Sequence, residues 1–493
     1  MNSFRWISST GYRRRIDAPL NAHLANVDLC VAIALISAAL GQGVQRGERR
    51  QYHQKAGREM TKRTVHIVGG GIAGLLAAIE LARAGVTVVV HEAAGEFGGR
   101  ARTREVEGFL FNRGPHALYC QGAFKRELDR FGIAYSGGRS LSGSSKAIFD
   151  GQLHELPTSL GSILRTSLFG LREKLAYIRV FRAIMGGATG ASSFADWLDE
   201  QRLPPRVRAV VEAVGRLSSY ANGAEEISAR ALLEQIRLTT GGTMYVDGGW
   251  ISLVHGLADA ARAAGAELRV KSRVSQVVRS DEGLHLLLHG GESITVDVVI
   301  LAVAPHEAAA LAPEVDSLAK AAEQVRAVRA STLDLALRRF PSQAHDFVLG
   351  IDTAHYLSVH SGSARLAPVG GALVHIAKYL PVGETPSDVV AELEAVADLA
   401  MPGWRELEVS RQTLRGMPVS NGLPRWDRPR PGVSVADAPG LFLAGDWVGE
   451  EGMIADAAAA SAIKAARAVR LWLSPFPPKH RHARAQPAAA CEP

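Results

Sequence analysis

The sequence predicts an α/β fold in which a domain built on parallel strands is interleaved with an α+β domain of antiparallel sheet and helices. Three observations predict it. A glycine-rich βαβ unit occupies Val65–Glu92, and a second glycine-flanked strand followed by an alanine-rich helix occupies Leu441–Val469. Between them, helical periodicity and short β-rich runs alternate in long blocks.

Val65–Val68 is a short apolar run, as a buried strand should be. Gly69-x-Gly71-x-x-Gly74 follows, with Ile72 and Ala73 opening a helical pattern that continues through Leu75, Leu76, Ile79 and Leu81. Gly85 ends the helix, Val86–Val90 is a second strand, and Glu92 lies just past its end. This is the Rossmann-type order of a dinucleotide site. Gly69 allows a tight turn, Gly71 leaves room for a pyrophosphate, and Gly74 lets helix and strand pack closely. The helix N-terminus offers free N–H groups to phosphate, and Glu92 is placed for the ribose hydroxyls.

Gly98-Gly99-Arg100 comes next, a glycine pair beside a cation suited to a pyrophosphate. With these residues the segment resembles the extended fingerprint of the FAD-dependent amine oxidase and phytoene desaturase superfamily, which includes protoporphyrinogen oxidases. The resemblance covers about Val65 to Val469. It implies non-covalent FAD, and it implies roles for further residues. Gly114, in FNRGPHALY, would let the chain run against the isoalloxazine; the acid usual two residues earlier is Asn112 here. Val274 would meet the adenine through its backbone. In LFLAGDWVGEEGMIADAAAA, Gly445 and Asp446 end a buried strand, and Asp446 would hold a ribityl or phosphate-side hydroxyl. Gly452 and Met453 open a helix whose N-terminus would face flavin N1 and O2, where reduced flavin carries negative charge. His116, Tyr119 and Trp447 are the candidates for the substrate side; for His116 and Tyr119 a packed or hydrogen-bonded core role is the alternative, and Trp447 would pack beside the flavin or line the pocket.

The remaining chain follows in order. Residues 151–243 carry apolar residues at helical spacing, interleaved from Leu160 to Ile184 with Arg165, Arg172, Lys174, Arg179 and Arg182. They read either as a helical cap facing its own core or as a surface that dips into a membrane to collect a lipophile. Ser192 or Ser193 should cap a helix from Phe194, with further helices over Arg206–Val214 and Ser228–Ile236. Gly248-Gly249 opens a helix over Leu253–Ala264, Leu284–Leu288 and Ser293–Val296 form a hairpin, and Asp297–Ala302 is a central parallel strand. Strands follow at Ser331–Leu337, Phe347–Gly350, Tyr356–Val359, Ala372–Lys378 and Glu406–Leu414, with a helix over Pro386–Leu399. Residues 61–150, 244–330 and 432–474 thus read as the FAD-binding domain, and 151–243 and 331–431 as the substrate domain. Residues 1–60 read as a leader or over-long start, despite an apolar run at Val31–Leu40, and 475–493 as a disordered tail.

Charge and cysteine content exclude some classes. The net charge is +7, but the surplus lies in residues 1–60 and 475–493, so the body is neutral and no nucleic-acid surface is expected. Cys30, Cys120 and Cys491 form no close pair, which argues against a disulfide framework and fits a reducing, cytoplasmic compartment, with peripheral membrane contact left open. No His, Cys or carboxylate spacing suggests a metal, and the scattered histidines suggest no shared site.

Flavin amine oxidases commonly carry a lysine in the strand that follows the cofactor segment. The matching STLDLAL has none, and the role does not transfer to Lys378 in a later strand. The resemblance therefore implies a dehydrogenase or desaturase taking a hydride from a small lipophilic, isoprenoid- or carotenoid-like substrate to flavin N5. A separate electron acceptor or O2 would take the electrons onward. An amine or amino-acid oxidase, or a protoporphyrinogen-oxidase-like enzyme, is the alternative. A non-catalytic lipid carrier of the same fold, similar to the Rab escort proteins, is the alternative from another class.

Overall fold

The computed structural model describes residues 63–140, 145–187, 190, 192–280, 283–384 and 388–474; the leader, the Val31–Leu40 run and the tail lie outside them. In chain order the described elements begin β1 (Thr64–Val68), α1 (Ile72–Arg83), β2 (Thr87–His91), β3 (Thr103–Val106), β4 (Phe109–Asn112), β5 (Leu118–Tyr119), α2 (Ala123–Phe131) and β6 (Gly137–Arg139). β7 (Ser145–Phe149), β8 (Gln152–Glu155), α3 (Leu160–Arg165), α4 (Leu171–Gly186), α5 (Phe194–Glu200), α6 (Pro205–Ser219), α7 (Ala229–Thr240) and β9 (Thr243–Val246) follow. Next come α8 (Trp250–Ala263), β10 (Glu267–Arg269), β11 (Val274–Ser280), β12 (Gly283–Leu288), β13 (Ser293–Val296), β14 (Val298–Leu301), α9 (Pro305–Leu311) and α10 (Asp316–Gln324). The last are β15 (Val328–Leu337), β16 (Phe347–Gly350), β17 (His355–Val359), β18 (Ala372–Tyr379), α11 (Val390–Ala400), β19 (Glu408–Ser420), β20 (Leu441–Leu443) and α12 (Ile454–Leu473).

Five strands form a parallel sheet in the order β10-β2-β1-β14-β20. The continuously apolar β14 lies inside it between β1 and β20, and all four of its residues are buried. The alanine- and leucine-rich α1 packs against α8 and α12. Together with the sheet they form the largest apolar core. β11, β12 and β13 make a separate antiparallel sheet, which adds one strand to the expected hairpin.

Seven strands form the second large sheet in the order β19-β15-β18-β17-β16-β7-β8, antiparallel except where β16 meets β7. β7 and β8, on either side of residue 150, were not read from the sequence as strands. One face of this sheet, with Leu333, Leu335, Val374 and Ile376, packs on Leu393 and Val396 of α11. Helices α3–α7 share their own core. Ser193, the expected cap, accepts the Asp196 amide at 3.0 Å and starts α5 at Phe194.

The parallel sheet also buries two histidines that no chemistry requires. His66 Nδ1 and His91 Nε2 lie 2.9 Å apart, and His91 Nδ1 lies 2.8 Å from Ser272 Oγ. Desolvation, with Arg269 nearby, pushes His66 down to about 4, and desolvation with His66 nearby does the same to His91. The ordinary value is about 6.5, so between the two values the unfolded chain binds protons that the folded chain does not. This stability is complete above pH ~6.5 and is lost as pH falls toward ~4. We expect the urea midpoint to fall over that window, and the fall to be shallower in a His66→Gln/His91→Gln variant. An unchanged slope would contradict the assignment.

Candidate functional site

The glycine loop between β1 and α1 combines close contact with open space. Gly69 has φ +106°, and a Cβ there would lie 2.5 Å from the Ala302 carbonyl oxygen. A Cβ at Gly74 would lie 1.9 Å from the Gly69 oxygen. Gly71, the residue before α1, differs: a Cβ there meets nothing within 4 Å. Ile72 and Ala73 open α1, which has no side-chain cap and whose first turn holds no acidic residue. Gly99 faces this opening, its Cβ position 3.9 Å from Gly71 Cα. An uncapped helix start beside two glycines with room between them fits an anionic diphosphate.

Glu92 closes one end. Its Oε2 accepts the Gly70 amide at 2.9 Å and its Oε1 accepts the Ala94 amide at 2.8 Å, which fixes the carboxylate and leaves each oxygen a further lone pair. The segment leading into Val274 runs alongside, with the Ser272 amide donating to the Glu92 carbonyl at 2.9 Å. Val274 itself is buried at the start of β11.

Arg100 and Asp446, 346 residues apart, meet at 2.7 Å. Arg100 Nη1 also donates to the Val419 carbonyl at 2.9 Å. Asp446 is buried and accepts the Asn421 amide at 2.9 Å and its side-chain nitrogen at 3.2 Å. Desolvation would raise its carboxyl, but the Arg100 charge and these hydrogen bonds hold it below the usual carboxylate range. Arg430 braces the same loop, donating at 2.9 Å to the carbonyls of Asp446 and Gly452. Its burial, only partly opposed by Asp446, lowers it to about 10. Sequence reasoning missed Arg430 and Asn421, since neither stands in a motif.

Gly445 donates its amide to Ser461 Oγ at 2.9 Å, tying the end of β20 to α12. Gly452 and the buried Met453 lead into α12, whose start has no side-chain cap. Trp447 is buried and donates Nε1 to the Val303 carbonyl at 2.9 Å. Its one polar atom is thereby engaged within the parallel-sheet core.

Gly114 has φ +81° and abuts β15 and β19: a Cβ there would lie 2.3 Å from Met417 Cε and 3.5 Å from Thr332 Cγ2. Asn112, in the place of the usual acid, still works as an acceptor. Its Oδ1 takes Thr103 Oγ1 at 2.7 Å and the Trp250 amide at 2.9 Å, and so anchors the start of α8. His116 Nδ1 lies 3.0 Å from the Gly114 carbonyl, and its ring meets the edge of Trp250. Burial pushes His116 down to about 4, where it is neutral near neutral pH. Tyr119 donates to the Ser218 carbonyl at 2.8 Å, and burial pushes its phenol up to about 12.

The histidines are not all scattered, which corrects the sequence reading. His360 and His375 have ring centroids 4.3 Å apart, and Tyr245 stacks on His360 at 3.7 Å. His375 Nδ1 lies 2.8 Å from Asp334 Oδ1, and Gln412 donates to Asp334 Oδ2 at 2.9 Å and to the Asn112 carbonyl at 2.8 Å. Pairing of β15 with β18 makes this cluster, because Asp334 stands directly opposite His375. Lys378 pairs instead with Glu392 at 2.9 Å, on the α11 side. Among the described residues no group of His, Cys, Asp and Glu could hold a metal.

Comparison with known proteins gives a consistent result. Residues 72–470 match the family described as flavin containing amine oxidoreductase. Hydroxysqualene dehydroxylase of Rhodopseudomonas palustris is 26% identical over 431 residues, covering 78% of this chain and 93% of that protein. Phytoene dehydrogenase of Streptomyces griseus is 29% identical over 278 residues, covering 48% and 53%. In fold, an oxidoreductase from Methanosarcina mazei aligns with a TM-score of 0.67 at 19% identity, over 81% of this chain and 99% of that one. With four-fifths of its length matched, this chain belongs to the flavin-containing amine oxidoreductase family and is an FAD-dependent oxidoreductase.

Proposed function

We propose that the protein is a dehydrogenase or desaturase of a lipophilic, isoprenoid-like substrate gathered at a membrane surface. The observation that carries the reading is the outer face of α3 and α4. Leu160 and Leu164, Leu171 and Leu175, and Phe181 and Met185 form three i,i+4 pairs, and all six side chains are exposed, Leu171 by 76%. One exposed apolar side chain is ordinary, but six on two consecutive helices mark an interaction surface. Ile163, Tyr177, Val180 and Ile184 on the opposite faces are buried, so both helices are apolar toward the core and toward solvent. Residues 160–186 carry five Lys/Arg and one acid, a balance suited to anionic headgroups. No helix among the described residues is long and apolar enough to cross a membrane, and the exposed apolar side chains of α3 and α4 suit an in-plane contact.

FAD, when bound, supplies a hydride acceptor at N5. The protein supplies position and charge. The starts of α1 and α12 and the Arg100 guanidinium lie where negative charge needs offsetting, and Glu92 and Asp446 are the acceptors for sugar and ribityl hydroxyls. Toward substrate, β15 presents Ala330, Thr332, Asp334 and Ala336 and no lysine, unlike the amine oxidases. Relatives named for hydroxysqualene and phytoene support the same substrate class.

The test presents polyprenoids in anionic vesicles to the oxidised protein under anaerobic conditions. We expect bleaching of the flavin band, slowed at least tenfold in Leu171→Glu/Leu175→Glu, since two apolar anchors become charges. The variant should match wild type on detergent-dispersed substrate. Bleaching by a diamine, with every lipophile inert, would overturn the proposal.

A further inference from the structure

We infer that the substrate carries a hydroxyl group, held by Thr332, His375 and Tyr379 on the inner face of the seven-stranded sheet. This rests on the lipophile reading above and narrows it.

The three residues share one patch. On β18, His375, Ala377 and Tyr379 alternate onto the inner face; on β15, Ala330, Thr332 and Asp334 do the same. Cross-strand register sets Asp334 opposite His375, Thr332 opposite Ala377 and Ala330 opposite Tyr379. Thr332 therefore lies between the two larger side chains, and the alanines leave the centre of the patch low. Thr332 also touches the position of Gly114, so the patch borders the loop expected against the isoalloxazine.

Every one of these side chains is fully buried, yet Thr332 Oγ1, His375 Nε2 and Tyr379 OH have no hydrogen-bond partner. His360 Nδ1, beside His375, has none either. Nearly all buried polar atoms in folded proteins are paired, and a group of unpaired ones on one face calls for a ligand. The surroundings also select the ligand. Both Asp334 oxygens are engaged, one by Gln412 and one by His375 Nδ1. An acceptor carboxylate at Nδ1 engages that nitrogen, which leaves Nε2 as the ring atom open to a ligand. A hydrocarbon satisfies none of the three atoms. A ketone oxygen only accepts, whereas Nε2 without a proton needs a donor. A hydroxyl both donates and accepts, so it can serve Nε2 and accept from Thr332 and Tyr379 as well.

The experiment titrates FAD-loaded protein with geranylgeraniol and with the hydrocarbon of the same skeleton lacking the hydroxyl, read by the flavin difference spectrum. We expect the alcohol to bind at least about tenfold more tightly, three hydrogen bonds at about fivefold each less the cost of ordering the ligand. Thr332→Val and Tyr379→Phe, both close in shape, should each reduce that preference about fivefold and leave hydrocarbon binding unchanged. His375→Phe should do the same; because it strips Asp334 of a partner, the threonine and tyrosine variants carry the test if it fails to fold. Equal binding of the two ligands to wild type, or equal loss of both in the variants, would overturn the inference and leave the lipophile reading in place. Flavin-loaded protein that binds neither ligand would overturn both.

Discussion

Gly71→Val yields a folded protein without flavin. The residue before α1 has φ −82° and ψ −173°, which valine adopts readily, and nothing lies within 4 Å of the added Cβ. The cost to the fold is therefore within about 1 kcal/mol. The valine methyls enter the opening between Gly71, Gly99 and the start of α1, where the diphosphate would approach the backbone. We expect flavin per protein to drop below about a tenth of wild type, a loss of at least 1.4 kcal/mol in binding. The far-ultraviolet spectrum and the melting of the flavin-free protein should match flavin-stripped wild type. Full flavin content in the variant would remove the loop from the cofactor site.

Gly74→Val gives the opposite outcome three residues later. Its Cβ would lie 1.9 Å from the Gly69 oxygen and 3.4 Å from Ile67 Cγ2. The first contact is with backbone in a turn that Ala302 already confines, so neither side can yield without separating α1 from the sheet. The expected cost exceeds about 4 kcal/mol, a large share of a typical folding free energy. Loss of soluble protein, or a cooperative melt lowered by many degrees, is the expected result. Wild-type stability would contradict the packing described. The two glycines of one motif thus separate space kept for a ligand from space taken by the protein.

The contrast also shows what was legible in the sequence. The βαβ unit from Val65 to Glu92 is written locally, and its strands and helix fell within a few residues of their expected bounds. Ser193 as a cap and β14 as a buried strand were readable for the same reason. The Arg100–Asp446 pair was not, because its partners are 346 residues apart and each has a separate motif explanation. Arg430 and Asn421 sit in loops with no periodicity. Thr332, Asp334 and His375 looked like ordinary strand residues, and only the register of β15 against β18 turns them into a polar patch. The apolar face of α3 and α4 was visible as spacing, but periodicity could not say which side is wet; the burial of Ile163 and exposure of Leu164 does.

If the proposed dehydrogenase or desaturase reading holds, electrons from the lipophile leave the flavin for an acceptor other than oxygen. The most direct test reduces the purified yellow protein anaerobically and then admits air while the flavin band and peroxide are followed. The account predicts a flavin that stays reduced for minutes and releases little peroxide, consistent with a β15 that offers no lysine. Reoxidation within seconds with stoichiometric peroxide would contradict it and identify an oxidase.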